Sequence, residues 1–208
     1  MKRRLLPRLT CLIQSKVGAC NPFSTGDMTT RKLTKDLAME EDDKVKNEAL
    51  QIIGLHQNLP RLVVFDLDHT FWPFYCQCCY EGDEPYLYPQ ARGIFFALKD
   101  SGMNVAIASR SPTPDIAKTF LDKLGIRSMF VALEIFSSQT HKTDHFQRIQ
   151  RSTGVPFTSM LFFDDEDRNI QAVSKMGVTS ILVGDGVNLG VLRHGLSEFS
   201  QMSGTRNH

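Results

Sequence analysis

At 208 residues with 41% hydrophobic content, the chain is long enough to bury one domain of ordinary size with a tail, and too short for two. Its 24 basic and 23 acidic residues leave a formal charge of +1, so no whole-molecule field draws it to nucleic acid or an anionic membrane. Five cysteines, an odd number with three bunched at Cys76, Cys78 and Cys79, fit a reducing compartment better than a secreted disulfide framework. No apolar run approaches the roughly 18 residues of a membrane span.

The first 27 residues carry Lys2, Arg3, Arg4, Arg8 and Lys16 with no acid before Asp27. Two readings stand side by side: an organellar transit peptide, or an untranslated or disordered leader, with Met28 as a second start. Localisation follows from that choice: cytoplasmic, or plastid or mitochondrion if residues 1–27 act in targeting. Residues 28–58 are charged and of mixed sign, and read as the rest of a flexible N-terminal arm (1–58) with an isolated helix over about Asp43–Leu55.

From Arg61 onward short apolar runs alternate with helical periodicity, the pattern of a parallel sheet with crossover helices. A strand buried on both faces is predicted at Arg61–Leu67. A helix within Tyr88–Gly102 places Ile94, Phe95 and Leu98 on one face and stops at Gly102. Then come a strand at Asn104–Ser109, a helix over about Thr113–Leu124, a strand around Met129–Phe136, and a helix over about Thr143–Thr153 ended by Gly154. A strand at Met160–Asp165, a helix over about Arg168–Met176, a strand at Thr179–Val183 and a helix at Leu189–Phe199 complete the domain, 59–199, leaving 200–208 as a tail. The fold class is α/β, a Rossmann-like parallel sheet flanked by helices.

Ligands of such sheets bind beyond the carboxyl ends of the strands. Those ends carry Asp66 and Asp68, then Ser109 and Arg110, then Lys142 before a helix, then Asp164 and Asp165. Residues two apart in an extended chain point to the same side, so Asp66 and Asp68 can address one ligand. Several carboxylates brought together repel unless a cation lies between them or one is protonated. Oxygen donors of this kind favour Mg²⁺, which keeps waters and substrate phosphate oxygens in its remaining positions. Ser109 and Lys142 complement a phosphoryl group. A lone Asp-x-Asp is more often a turn or a helix cap; the ordered set of four segments is what points to chemistry.

Asp-x-Asp-x-Thr after an apolar strand, Ser after the second, Lys before a helix and Asp-Asp after a later strand resembles the four-part signature of the haloacid dehalogenase superfamily, over about Leu59–Phe199. Within it, FDLDHTFWPFY, IASRSP, HKTDHF, TGVPF and LFFDDEDRNI are similar to the eukaryotic magnesium-dependent phosphatase type 1 family. The resemblance implies a phosphomonoester hydrolase with Asp66 as nucleophile and Asp68 as general acid and base. It implies Mg²⁺ held by Asp66, Asp165 and the Asp68 backbone carbonyl with Asp164 in support, and phosphosugars or protein phosphotyrosine as substrates. Leu67, His69, Ser109, Arg110 and Lys142 would contact substrate, and Thr70 and Asn169 would brace the site. His69 and Phe71 stand where animal members carry an aromatic residue and a leucine, which bears on substrate preference.

His141 and His145 read as packing or helix-start residues. The three cysteines lack the second ligand pair of a zinc site and read as residues of a short flap, Trp72–Tyr86. Only 20 residues separate Asp68 from Pro89, too few for a cap domain, so the site is expected to be open. A receiver domain of a signalling protein shares the residue types but has the acidic pair first and the acceptor later. A non-catalytic phospho-ligand-binding or scaffold protein on the same fold is the remaining alternative.

Overall fold

The computed structural model describes residues 28–137 and 141–205. Five strands form one sheet: β1 (Leu62–Phe65), β2 (Asn104–Ser109), β3 (Ala132–Ile135), β4 (Met160–Asp164) and β5 (Thr179–Leu182), in the order β3-β2-β1-β4-β5. All four pairings are parallel, with Leu62 opposite Asn104 on one side and Met160 on the other. β1 lies at the centre with helices over both faces, so every one of its side chains is buried and its sequence is an unbroken apolar run.

The helices are α1 (Met28–Gly54), α2 (Ala91–Asp100), α3 (Pro114–Lys123), α4 (Thr143–Thr153), α5 (Asp167–Ser174) and α6 (Leu189–Thr205). The pleat sorts the core into two layers. Val63, Phe65, Ile107 and Phe163 point to one face and pack with Ile94, Phe95 and Leu98 of α2, Phe120 of α3 and Leu192 of α6. Leu62, Val64, Ala106 and Phe162 point to the other and pack with Phe146 and Ile149 of α4 and Val173 of α5. From Arg61 onward the predicted elements are all present with boundaries moved by a few residues, whereas the arm helix starts at Met28 instead of about Asp43. β3 is shorter because a 3-10 turn occupies Arg127–Met129, and α6 runs on to Thr205.

The helix expected within a flexible arm is different in kind. Val45, Ala49, Ile52 and Ile53 recur at helical spacing and are all buried in the larger core layer. α1 meets α2 so closely at Gly93 that a Cβ there would stand 2.7 Å from the Asp42 carbonyl oxygen and 2.8 Å from Val45. Ion pairs Lys46–Asp100 (2.6 Å) and Arg92–Asp42 (3.5 Å) flank the contact. The second half of α1 is therefore a layer of the body, although its charged outer face gives it the look of a linker. Residues 1–27, on which the targeting expectation falls, lie outside the described residues. Among the described residues no helix is long and apolar enough to cross a membrane.

The chain leaves β1 towards β2 and β3, then returns to lay β4 on the opposite side of β1. Adjacent strands whose crossovers run in opposite directions leave a crevice at their carboxyl ends. That crevice lies between β1 and β4, where Asp66 follows one strand and Asp164 ends the other; the Asp66 N–H still bonds the Phe163 carbonyl at 3.0 Å.

Candidate active site

A cavity of about 170 Å³ opens at these strand ends. Asp66 and Asp68 after β1, Ser109 and Arg110 at the end of β2, Lys142 before α4, and Asp165 and Asn169 around the start of α5 all line it. At its base Lys142, only 1% exposed, bridges two carboxylates: Nζ is 2.7 Å from Asp66 Oδ1 and also bonds Asp164 Oδ2. Burial alone would lower the Lys142 pKa, but Asp66 and Asp164 outweigh it and hold the ammonium protonated. Burial pushes Asp66 upward against the pull of Lys142, with Asp164 adding to the rise. Asp165 is likewise raised, first by burial and then by Asp164.

Ligand oxygens of Asp66, Asp164 and Asp165 lie within 4.8 Å of one another. Three carboxylates against one ammonium leave two negative charges uncompensated when all are ionised, and a hard divalent cation fits that all-oxygen deficit. The three differ in how far they are already engaged. Asp164, fully buried, accepts from Lys142, from the Glu166 N–H at 2.7 Å and from Asn169 Nδ2 at 3.1 Å, which suits a supporting part. Asp165 accepts a long bond from Thr70 Oγ1, 3.5 Å, and lines the cavity.

Asp68 is held differently. Its Oδ1 accepts the Trp72 indole N–H at 2.7 Å and the Cys76 N–H at 3.2 Å. Burial nevertheless raises its pKa against those two bonds. A tight turn places it: the Leu67 carbonyl accepts from the N–H groups of Thr70, Phe71 and Trp72, and His69 adopts a φ of 55°, uncommon for a residue with a Cβ. The His69 ring packs edge-on against Tyr75 at 4.3 Å, and its Nε2 is buried with no hydrogen-bond partner among the described residues. Leu67, His69, Thr70 and Asp164 lie behind the residues that line the cavity. The turn is stitched from outside, because Thr70 O accepts the Val187 N–H at 2.9 Å and Phe71 O accepts the Tyr88 N–H at 3.2 Å. Gly186, beside this seam at φ +70°, has no room for a Cβ, which would come within 2.2 Å of the Tyr88 ring.

Ser109 is buried, and its Oγ accepts the Ser111 N–H at 3.3 Å. Its carbonyl is fixed by His145, whose Nε2 lies 3.0 Å from Ser109 O and 3.2 Å from Phe136 O. Two carbonyl partners require the proton on Nε2. Burial drives the pKa of His145 down to about 4, and the ring stacks on Phe136 at 3.9 Å. His145 thus packs as expected, and also ties the ends of β2 and β3 to α4. Arg110 reaches across the cavity mouth to Glu166, Nη2 to Oε2 at 3.3 Å. Burial alone would raise the Glu166 pKa, but Arg168 and Arg110 hold it below the ordinary carboxylate range.

The site also uses residues not singled out from sequence. Trp72 and Cys76 belong to the expected flap, yet both are fully buried and serve Asp68. Tyr75, Gln77, Ser111, Pro112 and Glu166 line the cavity. The position of Glu166 directly after the Asp-Asp pair is a signal that could have found it. Burial pushes the Cys76 thiol up to about 12, which keeps it protonated beside Asp68.

Residues 80–202 match the Acid Phosphatase family. The human Magnesium-dependent phosphatase 1 is 38% identical over 158 residues, covering 69% of this chain and 89% of that protein. A HAD-like hydrolase superfamily protein of Schizosaccharomyces pombe is 31% identical, covering 58% of this chain and 83% of its own. Among solved structures, a HAD-superfamily hydrolase from Ehrlichia chaffeensis superposes with a TM-score of 0.53 at 14% identity, over 69% of this chain and 98% of that one. A Bacteroides fragilis phosphatase domain complexed with Mg gives 0.50 at 20% identity, over 69% of this chain and 40% of that one. These two likenesses bear on the fold.

Proposed function

We propose, from the premise that this chain belongs to the Acid Phosphatase family and to the haloacid dehalogenase superfamily, that it is a magnesium-dependent phosphomonoester hydrolase working through an aspartyl-phosphate on Asp66. The observation that carries the reading is the Lys142-bridged carboxylate cluster at the base of the cavity, with Asp68 two residues beyond Asp66. Asp66 and Asp165 by their side chains and Asp68 by its backbone carbonyl would hold Mg²⁺, with Asp164 supporting them. When bound, the ion offsets the carboxylates and draws negative charge from the phosphoryl oxygens.

An Asp66 carboxylate oxygen attacks phosphorus, the bond from phosphorus to the alcohol oxygen breaks, and Asp68 gives that oxygen its proton. Asp68 Oδ1 already accepts two N–H bonds, so Oδ2 is the oxygen that carries the proton. The Asp68 carboxylate then takes a proton from water, which attacks phosphorus, releases phosphate and restores Asp66. The raised pKa of Asp68 keeps it available as an acid, the division of roles that two carboxylates in unlike surroundings support. Ser109 and Lys142 grip the transferring group, Arg110 at the mouth meets the substrate phosphate or the leaving group, and Leu67 and His69, behind the cavity lining, shape the turn that carries Asp68.

Among the described residues the flap of residues 72–86 gives Tyr75 and Gln77 to the cavity lining, and its first part is tied into the core through Trp72 and Cys76. An open mouth admits both phosphosugars and phosphotyrosine on proteins, which we assign as the substrate classes. The test is hydrolysis of both classes with Mg²⁺ and with chelator, on wild type beside Asp66→Asn. Expected are turnover only with the metal and loss of at least about 1,000-fold in the variant. Equal turnover in Asp66→Asn would falsify the nucleophile assignment. Retained binding of phosphate esters with no hydrolysis would favour the scaffold reading.

A further inference from the structure

The mouth of the cavity holds a second charge cluster. Glu166 is shared among three donors. Arg168 grips both its oxygens, Nε to Oε2 at 2.8 Å and Nη2 to Oε1 at 2.9 Å, the side-by-side fit that guanidinium and carboxylate favour. Asn169 Nδ2 bonds Oε2 at 3.0 Å, and Arg110, at 3.3 Å, makes the longest contact. One carboxylate divided between two guanidiniums leaves one positive charge in excess. That excess falls on Arg110, which lines the cavity and is held less tightly than Arg168.

We propose that Glu166 is a specificity-determining residue. It holds Arg110 at the mouth while only partly cancelling its charge. It thereby sets how strongly the site favours phosphomonoesters whose leaving group bears a second anionic group, such as a carboxylate, over those with an uncharged leaving group. The inference rests on the phosphatase reading above. Arg168 acts through Glu166: the firmer its grip, the less of the carboxylate remains for Arg110. Arg110 and Glu166 are both partly exposed, so solvent and salt screen the effect to a few-fold.

The test compares phosphoglycolate with ethyl phosphate, two-carbon esters that differ by a carboxylate, at saturating Mg²⁺, and reads the ratio of their kcat/KM values. Glu166→Gln keeps the shape and removes the charge, and is expected to raise that ratio about three- to fivefold. Arg168→Gln frees Glu166 to neutralise Arg110, and is expected to lower it about twofold. In an Arg110→Gln background, Glu166→Gln is expected to leave the ratio unchanged. A general loss of folded protein lowers both rates together and does not move the ratio. A flat ratio in an active Glu166→Gln enzyme, or a change that survives in the Arg110→Gln background, overturns the inference alone. A wild-type protein that hydrolyses neither of these esters overturns this inference alone if it turns over a phosphosugar or a phosphotyrosine peptide, and overturns the phosphatase reading as well if it turns over none of the four.

Discussion

The base and the mouth of the cavity carry mirror-image clusters: at the base one cation lies between two carboxylates, Asp66 and Asp164, and at the mouth one carboxylate lies between two cations, Arg110 and Arg168. The same pairing chemistry is buried in one and partly exposed in the other. Lys142 and Asp164 have side-chain exposures of 1% and 0%, while Arg168 stands at 55%. Depth decides what each can do. The base is left negative and takes a cation. The mouth is left positive and takes an anionic part of a substrate, at an energy that water reduces.

The sharpest way to break this contrast is to remove the central cation of the base. Lys142→Met strands two buried carboxylates and is expected to cost about 3–5 kcal/mol of stability in thermal or denaturant unfolding, with turnover falling at least about 100-fold. Saturating Mg²⁺ should return part of the lost stability, because a bound cation favours the folded state. Arg168→Gln at the mouth should cost less than about 1 kcal/mol in the same measurement. Equal losses would show that the two clusters are energetically alike.

His145, which ties the β2 and β3 ends beside these clusters, gives a smaller and pH-dependent effect. Burial lowers its pKa from 6.5 to about 4, so the folded chain refuses a proton that the unfolded chain accepts. Its contribution to stability is intact above pH 6.5 and is lost as pH falls from 6.5 towards 4. Wild type should lose on the order of 2 kcal/mol over that range that His145→Gln, which keeps an N–H donor, does not lose. Unfolding curves of the two proteins at several pH values measure the difference; parallel curves would contradict it.

Trp72→Phe acts on the chemistry through the general acid. The indole N–H favours ionised Asp68, so its removal raises the pKa of the general acid further. The alkaline limb of the pH profile of kcat/KM should move to higher pH, with the plateau reduced about three- to tenfold. An unmoved limb would mean that Asp68 is not the acid.

Much of this was legible in the chain. The alternation of apolar runs with helical periodicity marked every strand of the sheet, because a parallel sheet writes the same buried pattern at each crossover. Asp66, Ser109, Lys142 and the Asp-Asp pair could be found because each lies at the boundary of an element. Residues that act through partners distant in sequence could not. Trp72 looks like a flap aromatic until the turn at His69 folds it back on Asp68, and Glu166 looks like a helix cap until Arg110 approaches from another strand. α1 misled because its buried stripe, Val45 to Ile53, is four residues in a run dominated by charge.

The seam at Gly186 separates importance from chemistry. The turn that carries Asp68 is pinned by a backbone bond from Val187, and the Tyr88 ring occupies the volume where a side chain on Gly186 would lie. Any other residue at that position must displace the ring and pull on the turn. Among randomly altered copies of this protein, changes at Gly186 would be culled alongside changes at the aspartates, although it makes no contact with a substrate. Its sequence tolerance is set by the shape of an aromatic neighbour.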